Sequence, residues 1–325
     1  MIDFSRIRGF NYQPSRGSTS LENWENFDSA LWRRELGKGK EYFPRMNTVR
    51  LWLSWDAYFR KPEEFKANFA QALDIAGGLG LQVVPCLFNR WHDPNGYDNG
   101  GVYIENILFK QSWCYFRPHY RQFAADMAAT FRDDERILFW DLCNEPFTSV
   151  WFTPENAQWI EGEREWLAEL YETVKERDPS TPASVSPHPD PACQPLLEPI
   201  SDVLLCHPYF SCSEDKVRDP ELRAGFEASV RSLAEFARQS GKPLVATETC
   251  WGALHDDVRA EFIRYTLEIL TQYSIGIIAH ALYYSRVADL HDPEDGFVGL
   301  PGNLAFINKD GSLRAGHEVF NAFCP

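Results

Sequence analysis

The chain has 325 residues, 44% of them hydrophobic, which is enough to bury one large core and matches the size of a single α/β barrel. Its formal net charge of −15 and pI near 5.0 exclude a nucleic acid or an anionic membrane as the main partner, because both are held through surplus Lys and Arg. No apolar run reaches bilayer-spanning length and the first nine residues carry no signal-like apolar stretch, so a cytoplasmic location is expected.

In chain order, short apolar runs alternate with amphipathic stretches. Strands are predicted over residues 7–13, 48–55, 81–88, 137–144, 182–188, 202–209, 243–249 and 276–284. Between them, apolar residues at helical spacing predict helices that include 62–79, 117–131, 156–177, 220–240 and 256–273, with glycines such as Gly78, Gly80 and Gly241 as stops. Pro189, Pro191, Pro195 and Pro199 leave room for at most a short helix over 189–201. Eight apolar strands alternating with helices predict a parallel sheet covered on both faces. The expected fold is α/β, a (β/α)8 TIM barrel forming one domain over 1–325, with an open doubly wound sheet as the alternative. Long segments follow the third, fourth, sixth and eighth strands (89–116, 147–155, 210–219 and 286–303), which places the expected site at the strands' C-terminal ends. The eight cysteines include no C-x-x-C, and Cys86, Cys143, Cys206 and Cys250 fall in apolar runs, so all are read as reduced thiols.

Two of these runs end on a glutamate. Ile137-Leu-Phe-Trp-Asp-Leu-Cys-Asn-Glu-Pro146 stops at Glu145, where Pro146 ends the ladder, and Pro243-Leu-Val-Ala-Thr-Glu-Thr-Cys-Trp-Gly252 carries Glu248. A carboxylate beside a buried strand is costly unless paired or used in chemistry, and cleavage of a glycosidic bond needs two facing each other across the sugar. The 11 Trp and 13 Tyr offer flat faces suited to the C–H faces of sugars.

Five motifs in register sharpen this reading: Arg8-Gly-Phe-Asn11 on the first strand, Arg50 on the second, Asn144-Glu-Pro146 ending the fourth, His207-Pro-Tyr209 ending the sixth and Glu248 ending the seventh. The chain thereby resembles the retaining glycoside hydrolases of clan A, and in particular family 5, the cellulase and mannanase family. The resemblance implies the (β/α)8 fold and double displacement without a cofactor. It implies Glu145 as general acid/base, whose pKa must be raised for the task, and Glu248 as nucleophile, kept ionised by Arg50 and oriented by Tyr209. A retaining mechanism further implies carboxyl groups about 5–5.5 Å apart. Asn144 resembles the residue that bonds the sugar 2-hydroxyl, and His207 and Trp251 would line the site. Read singly, Arg50 is equally an ion-pair residue, His207 a core histidine and Tyr209 a packing residue.

The sequence departs from the family's pattern twice. Members often carry a Trp ending strand eight, where this chain reads His280-Ala-Leu-Tyr-Tyr-Ser285, so Tyr283 or Tyr284 is expected to substitute. They also often carry a His ending strand three, where Asn89, Trp91 and His92 are the local candidates on the substrate side. His92-Asp93 and His291-Asp292 read as polar rim pairs. No clustered metal-ligand motif is present, so no metal is expected. The expected partner is an oligosaccharide or small β-glycoside of manno, gluco or xylo configuration, with exo action favoured. The rival readings are a catalytically silent carbohydrate-binding barrel and a metal-dependent barrel hydrolase; oligomeric state is not encoded legibly.

Overall fold

A computed structural model describes residues 3–17, 19–91, 101–148, 152–285 and 303–325. Eight parallel strands, β1 (Arg8–Tyr12), β2 (Thr48–Trp52), β3 (Gln82–Cys86), β4 (Trp140–Asn144), β5 (Ala183–Ser186), β6 (Leu204–Cys206), β7 (Leu244–Ala246) and β8 (Gly276–Ala279), run in the spatial order β5-β4-β3-β2-β1-β8-β7-β6. Because β1 lies between β2 and β8, the sheet curls on itself instead of reversing direction, which rules out the doubly wound alternative. The two ends of the order meet through the Asp202 N–H donating to the Ala183 carbonyl at 2.9 Å and the Val203 N–H donating to Ser184 Oγ at 3.0 Å. The fold is the expected (β/α)8 barrel.

The covering helices are α1 (Ser20–Glu25), α2 (Ser29–Tyr42), α3 (Trp55–Arg60), α4 (Pro62–Gly78), α5 (Ile104–Leu108), α6 (Arg117–Thr130), α7 (Ala157–Arg177), α8 (Cys193–Leu197), α9 (Pro220–Ser240) and α10 (Asp256–Gln272). The local chemistry accounts for their limits. In α9 the Asp219 side chain accepts from the Glu221 and Leu222 N–H groups, Pro220 fills the first helical position, and Gly241 closes the helix at φ 69°. The proline-rich stretch yields only the five-residue α8. Gly9 is required by packing, since a Cβ there would run into the Thr48 carbonyl on β2. All eight cysteines are free. No described helix is long and apolar enough to cross a membrane.

Inside the barrel the two ends differ in chemistry. One layer is apolar, with Ile7, Val84, Leu138, Phe139, Leu205, Val245 and Ile278 packed together. Toward the C-terminal ends of the strands the inward side chains become Asn11, Arg50, Asp141, Asn144, Ser186, His207, Thr247 and Glu248, all buried. Such a polar layer is tolerable only when its members satisfy one another, and its bonds define the site.

Candidate active site

Arg50 sits at the centre of the polar layer with no exposed surface. Its Nε donates to Asp141 Oδ2 at 2.8 Å, its Nη1 to Glu248 Oε1 at 2.7 Å and Asn11 Oδ1 at 2.8 Å, and its Nη2 to Asn144 Oδ1 at 2.8 Å. Burial alone would lower its pKa, but Asp141, Cys86 and Glu248 more than offset this, so the guanidinium is locked in its charged form. A local irregularity makes the arrangement possible. Asp141 and Asn144 are three residues apart and would face opposite sides of a regular strand, yet a register shift between them turns both toward Arg50. Asn144 in turn donates through Nδ2 to Asn89 Oδ1 at 2.9 Å, which fixes its amide.

Glu248 follows β7 by two residues and is 4% exposed. Its Oε1 is held by Arg50. Its Oε2 accepts from the Tyr209 hydroxyl at 2.9 Å and lies 3.2 Å from His280 Nδ1. Burial works against ionisation here, but His207 and His280 when charged, the His280 hydrogen bond and Arg50 together outweigh it and hold the carboxyl well below the usual range. Tyr209 is pushed the other way, first by burial and then by the charges of Glu248 and Glu145, so it remains a neutral donor.

Glu145 occupies the position where β4 ends, with φ 46°, a left-handed conformation that costs a non-glycine residue roughly 1–2 kcal/mol and is held by its N–H donating to the Ser186 carbonyl at 2.8 Å. Its Oε1 meets His207 Nδ1 at 2.8 Å. From there a continuous hydrogen-bond path crosses the barrel. His207 Nε2 lies 3.1 Å from Thr247 Oγ1, Thr247 Oγ1 lies 2.9 Å from Ser186 Oγ, and Ser186 Oγ donates to Asp141 Oδ2 at 2.6 Å. One polar atom from each of Glu145, His207 and Glu248 lies within 4.8 Å of the other two, so the two carboxylates stand close together beside His207. These three groups are also the one cluster of possible metal-binding side chains among the described residues. Their pairing through His207 reads as an acid–base set.

The remaining expectations divide. Trp251 packs edge-on against Tyr209 with ring centroids 5.2 Å apart, at the rim of the pair. Asn89 supports Asn144 and accepts from the Trp91 N–H at 3.1 Å, which leaves half-buried Trp91 beside it. His92 and the 291–292 pair lie outside the described residues. Arg50, expected to keep Glu248 ionised, has no exposed surface with which to touch a substrate and bonds Glu248 from inside the barrel. Of the two tyrosines expected to replace the family's Trp, Tyr283 sits in the apolar core, in the electrostatic reach of Glu35, Arg34 and Lys38 on α2 and of Asp310, and Tyr284 packs with Trp251 against Leu304 and Ala305. The reason is that β8 ends at Ala279, so the side chain delivered to the barrel mouth is that of His280. Sequence reasoning misses His280, Asp141, Ser186 and Thr247; only His280 has a visible signal, its place at the start of the segment where the family's Trp is expected.

A cleft of about 700 Å³ runs beside these groups, walled by α9 and the segments after β5 and β6, with Pro187, His188, Gln194, Pro208, Phe226 and Leu233 in its lining. The carboxylates themselves are not part of that lining, but His207 and Tyr209 border it. The hydrogen-bond geometry therefore locates the chemistry, and the cleft is its neighbour.

Comparison with known proteins agrees with this geometry. The family model for cellulase (glycosyl hydrolase family 5) matches residues 43–285. A probable mannan endo-1,4-β-mannosidase C of Aspergillus terreus is 27% identical over 121 residues, which cover 34% of this chain and 29% of that relative. Among solved structures, an exo-β-1,4-mannosidase from Opitutaceae bacterium strain TAV5 superposes with a TM-score of 0.72 at 18% identity, covering 97% of this chain and 58% of that one. A hyperthermostable endo-1,4-β-D-mannanase from Thermotoga petrophila RKU-1 superposes with a TM-score of 0.66 at 14% identity, covering 98% of this chain and 99% of that one. At these identities the structural likenesses establish the fold.

Proposed function

The chain belongs to glycosyl hydrolase family 5, and from that premise we propose that it is a retaining β-glycosidase acting on β-1,4-linked mannosides, with Glu248 as nucleophile and Glu145 as general acid/base. The observation that carries the chemistry is the contrast between the two carboxylates. Glu248 is clamped as an anion by Arg50 and Tyr209, whereas Glu145 faces a histidine across 2.8 Å. The substrate class rests on the three relatives described above, each named as a β-mannosidase or β-mannanase.

The hydrogen-bond path supplies the proton logic. Ser186 gives its one proton to Asp141, so its oxygen must accept from Thr247; Thr247 in turn must accept from His207 Nε2–H. His207 Nδ1 and Glu145 Oε1 then share a single further proton, held where a leaving glycosidic oxygen would need it. Once that proton is delivered, Glu145 is an ionised base, ready to take a proton from the water that releases the sugar from Glu248.

The test is a panel of aryl β-mannoside, β-glucoside, β-xyloside and β-galactoside together with β-1,4-manno-oligosaccharides. Highest kcat/KM on the manno-configured members is the expected result. Preference for another sugar would overturn the substrate class, and no turnover of any member would overturn the activity.

Arg50 and Tyr209 are proposed to act through Glu248. An opposite charge at this range lowers a carboxyl pKa by about 1–3 units, so Arg50→Met is expected to raise that of Glu248. A nucleophile with a depressed pKa works above that pKa and fails as pH falls through it. The acidic limb of kcat/KM should therefore move to higher pH in Arg50→Met, and by less in Tyr209→Phe, because a neutral hydrogen bond is weaker than a charge-assisted one. An active Arg50→Met enzyme with an unmoved acidic limb would reduce Arg50 to a structural residue.

A further inference from the structure

We propose that His280 is a specificity-determining residue whose Nε2 forms a hydrogen bond with one hydroxyl of the sugar seated against Glu248; this rests on the functional reading above. Tyr209 has one hydroxyl proton and gives it to Glu248 Oε2 at 2.9 Å. The same hydroxyl oxygen lies 3.1 Å from His280 Nδ1, and Glu248 Oε2 lies 3.2 Å from that nitrogen. Both neighbours of Nδ1 present lone pairs to it, so Nδ1 must carry the proton. Nε2 is then left to bond a sugar hydroxyl, accepting from it in the neutral ring and donating to it in the charged one.

The surroundings leave that nitrogen for the substrate. The ring is 8% exposed on its side-chain atoms, and Nε2 has no hydrogen-bond partner among the described residues. Trp52 flanks the ring, with centroids 6.1 Å apart, Nδ1 is held by Tyr209 and Glu248, and Arg259 donates to the His280 carbonyl at 3.3 Å, which anchors the main chain that carries the ring. A flat hydrocarbon face at this place would be indifferent to hydroxyl pattern. A ring nitrogen beside the nucleophile is not, because a sugar lacking the matching hydroxyl leaves it unpaired.

The test is a cycle between enzyme and substrate. The best aryl glycoside of the panel is compared with its 2-, 3-, 4- and 6-deoxy analogues in wild type, His280→Asn and His280→Gln. Asparagine places an amide N–H near the Nδ1 position and keeps the bond to Glu248, but reaches no further; glutamine places its amide near Nε2. In wild type, one deoxy analogue should lose about 5–20-fold in kcat/KM more than it does in His280→Asn, while His280→Gln keeps the discrimination. Taking the ratio between enzymes cancels the intrinsic reactivity of each deoxy sugar. Equal ratios for every analogue in wild type and His280→Asn would overturn the proposal while leaving the glycosidase reading intact. If no parent glycoside is turned over by wild type, it is the functional reading that fails, and this proposal with it.

Discussion

Glu248→Ala is expected to lose glycosidase turnover by on the order of 10⁴-fold or more, because among the described residues no other group is placed to form the glycosyl-enzyme bond. The loss should be chemical and not a failure to fold. The substitution removes a carboxylate that Arg50 contacts, but Arg50 keeps Asp141, Asn11 and Asn144 as acceptors. Azide fits the vacated space as a small anion and attacks the anomeric carbon directly. Turnover should therefore return with added azide, and the product should be the glycosyl azide of inverted configuration. Wild-type-like hydrolysis by Glu248→Ala would place the nucleophile elsewhere.

Glu145→Ala should fail differently. General acid catalysis contributes roughly 10²–10⁴-fold, and the loss should fall mainly on substrates whose leaving group needs protonation. Manno-oligosaccharides should lose most, and aryl glycosides with acidic phenols least. With those activated substrates the first step still proceeds through Glu248, and azide then attacks the glycosyl-enzyme, giving a product of retained configuration. An equal loss on activated and unactivated substrates would remove Glu145 from the role of acid.

The parts of this account legible in the sequence are those set by local pattern. Apolar runs locate every strand, and α9 falls at its predicted limits because Asp219, Pro220 and Gly241 fix both ends. Glu145 and Glu248 stand out because each terminates such a run. What is not legible depends on geometry between elements. Asp141 lies inside an apolar run with nothing local to mark it, and the register shift that turns it toward Arg50 appears only in the sheet. Gly37 and Gly39 weaken the helical pattern where α2 lies; Gly39 is kept on the helix's buried side, where a Cβ would crowd Leu282.

The end of β8 escapes the sequence for a related reason. The apolar run continues to Tyr284, but after Ala279 the backbone divides its bonds: the His280 and Leu282 N–H groups still donate to the Thr249 and Asn11 carbonyls at 3.0 and 2.9 Å, while the Ala281 N–H donates to the Leu304 carbonyl at 3.0 Å and the Tyr284 N–H to the Ile307 carbonyl at 2.8 Å. Hydrophobicity persists across this change because both settings are buried, so composition alone does not show it. The pattern therefore points to Tyr283 or Tyr284, whereas the residue that directly follows β8 is His280.

The most direct test of the central claim, that Glu248 is the nucleophile of a retaining enzyme, is to trap the intermediate. A 2-deoxy-2-fluoro β-glycoside with an activated leaving group slows the second step more than the first, so a glycosyl-enzyme should accumulate and be visible as a mass increase of one fluorosugar per chain. Peptide mapping should then place the sugar on Glu248, within the segment that includes Thr247, Thr249 and Cys250. A label on Glu145 or any other carboxylate, or hydrolysis to an inverted product with no covalent adduct, would contradict the account.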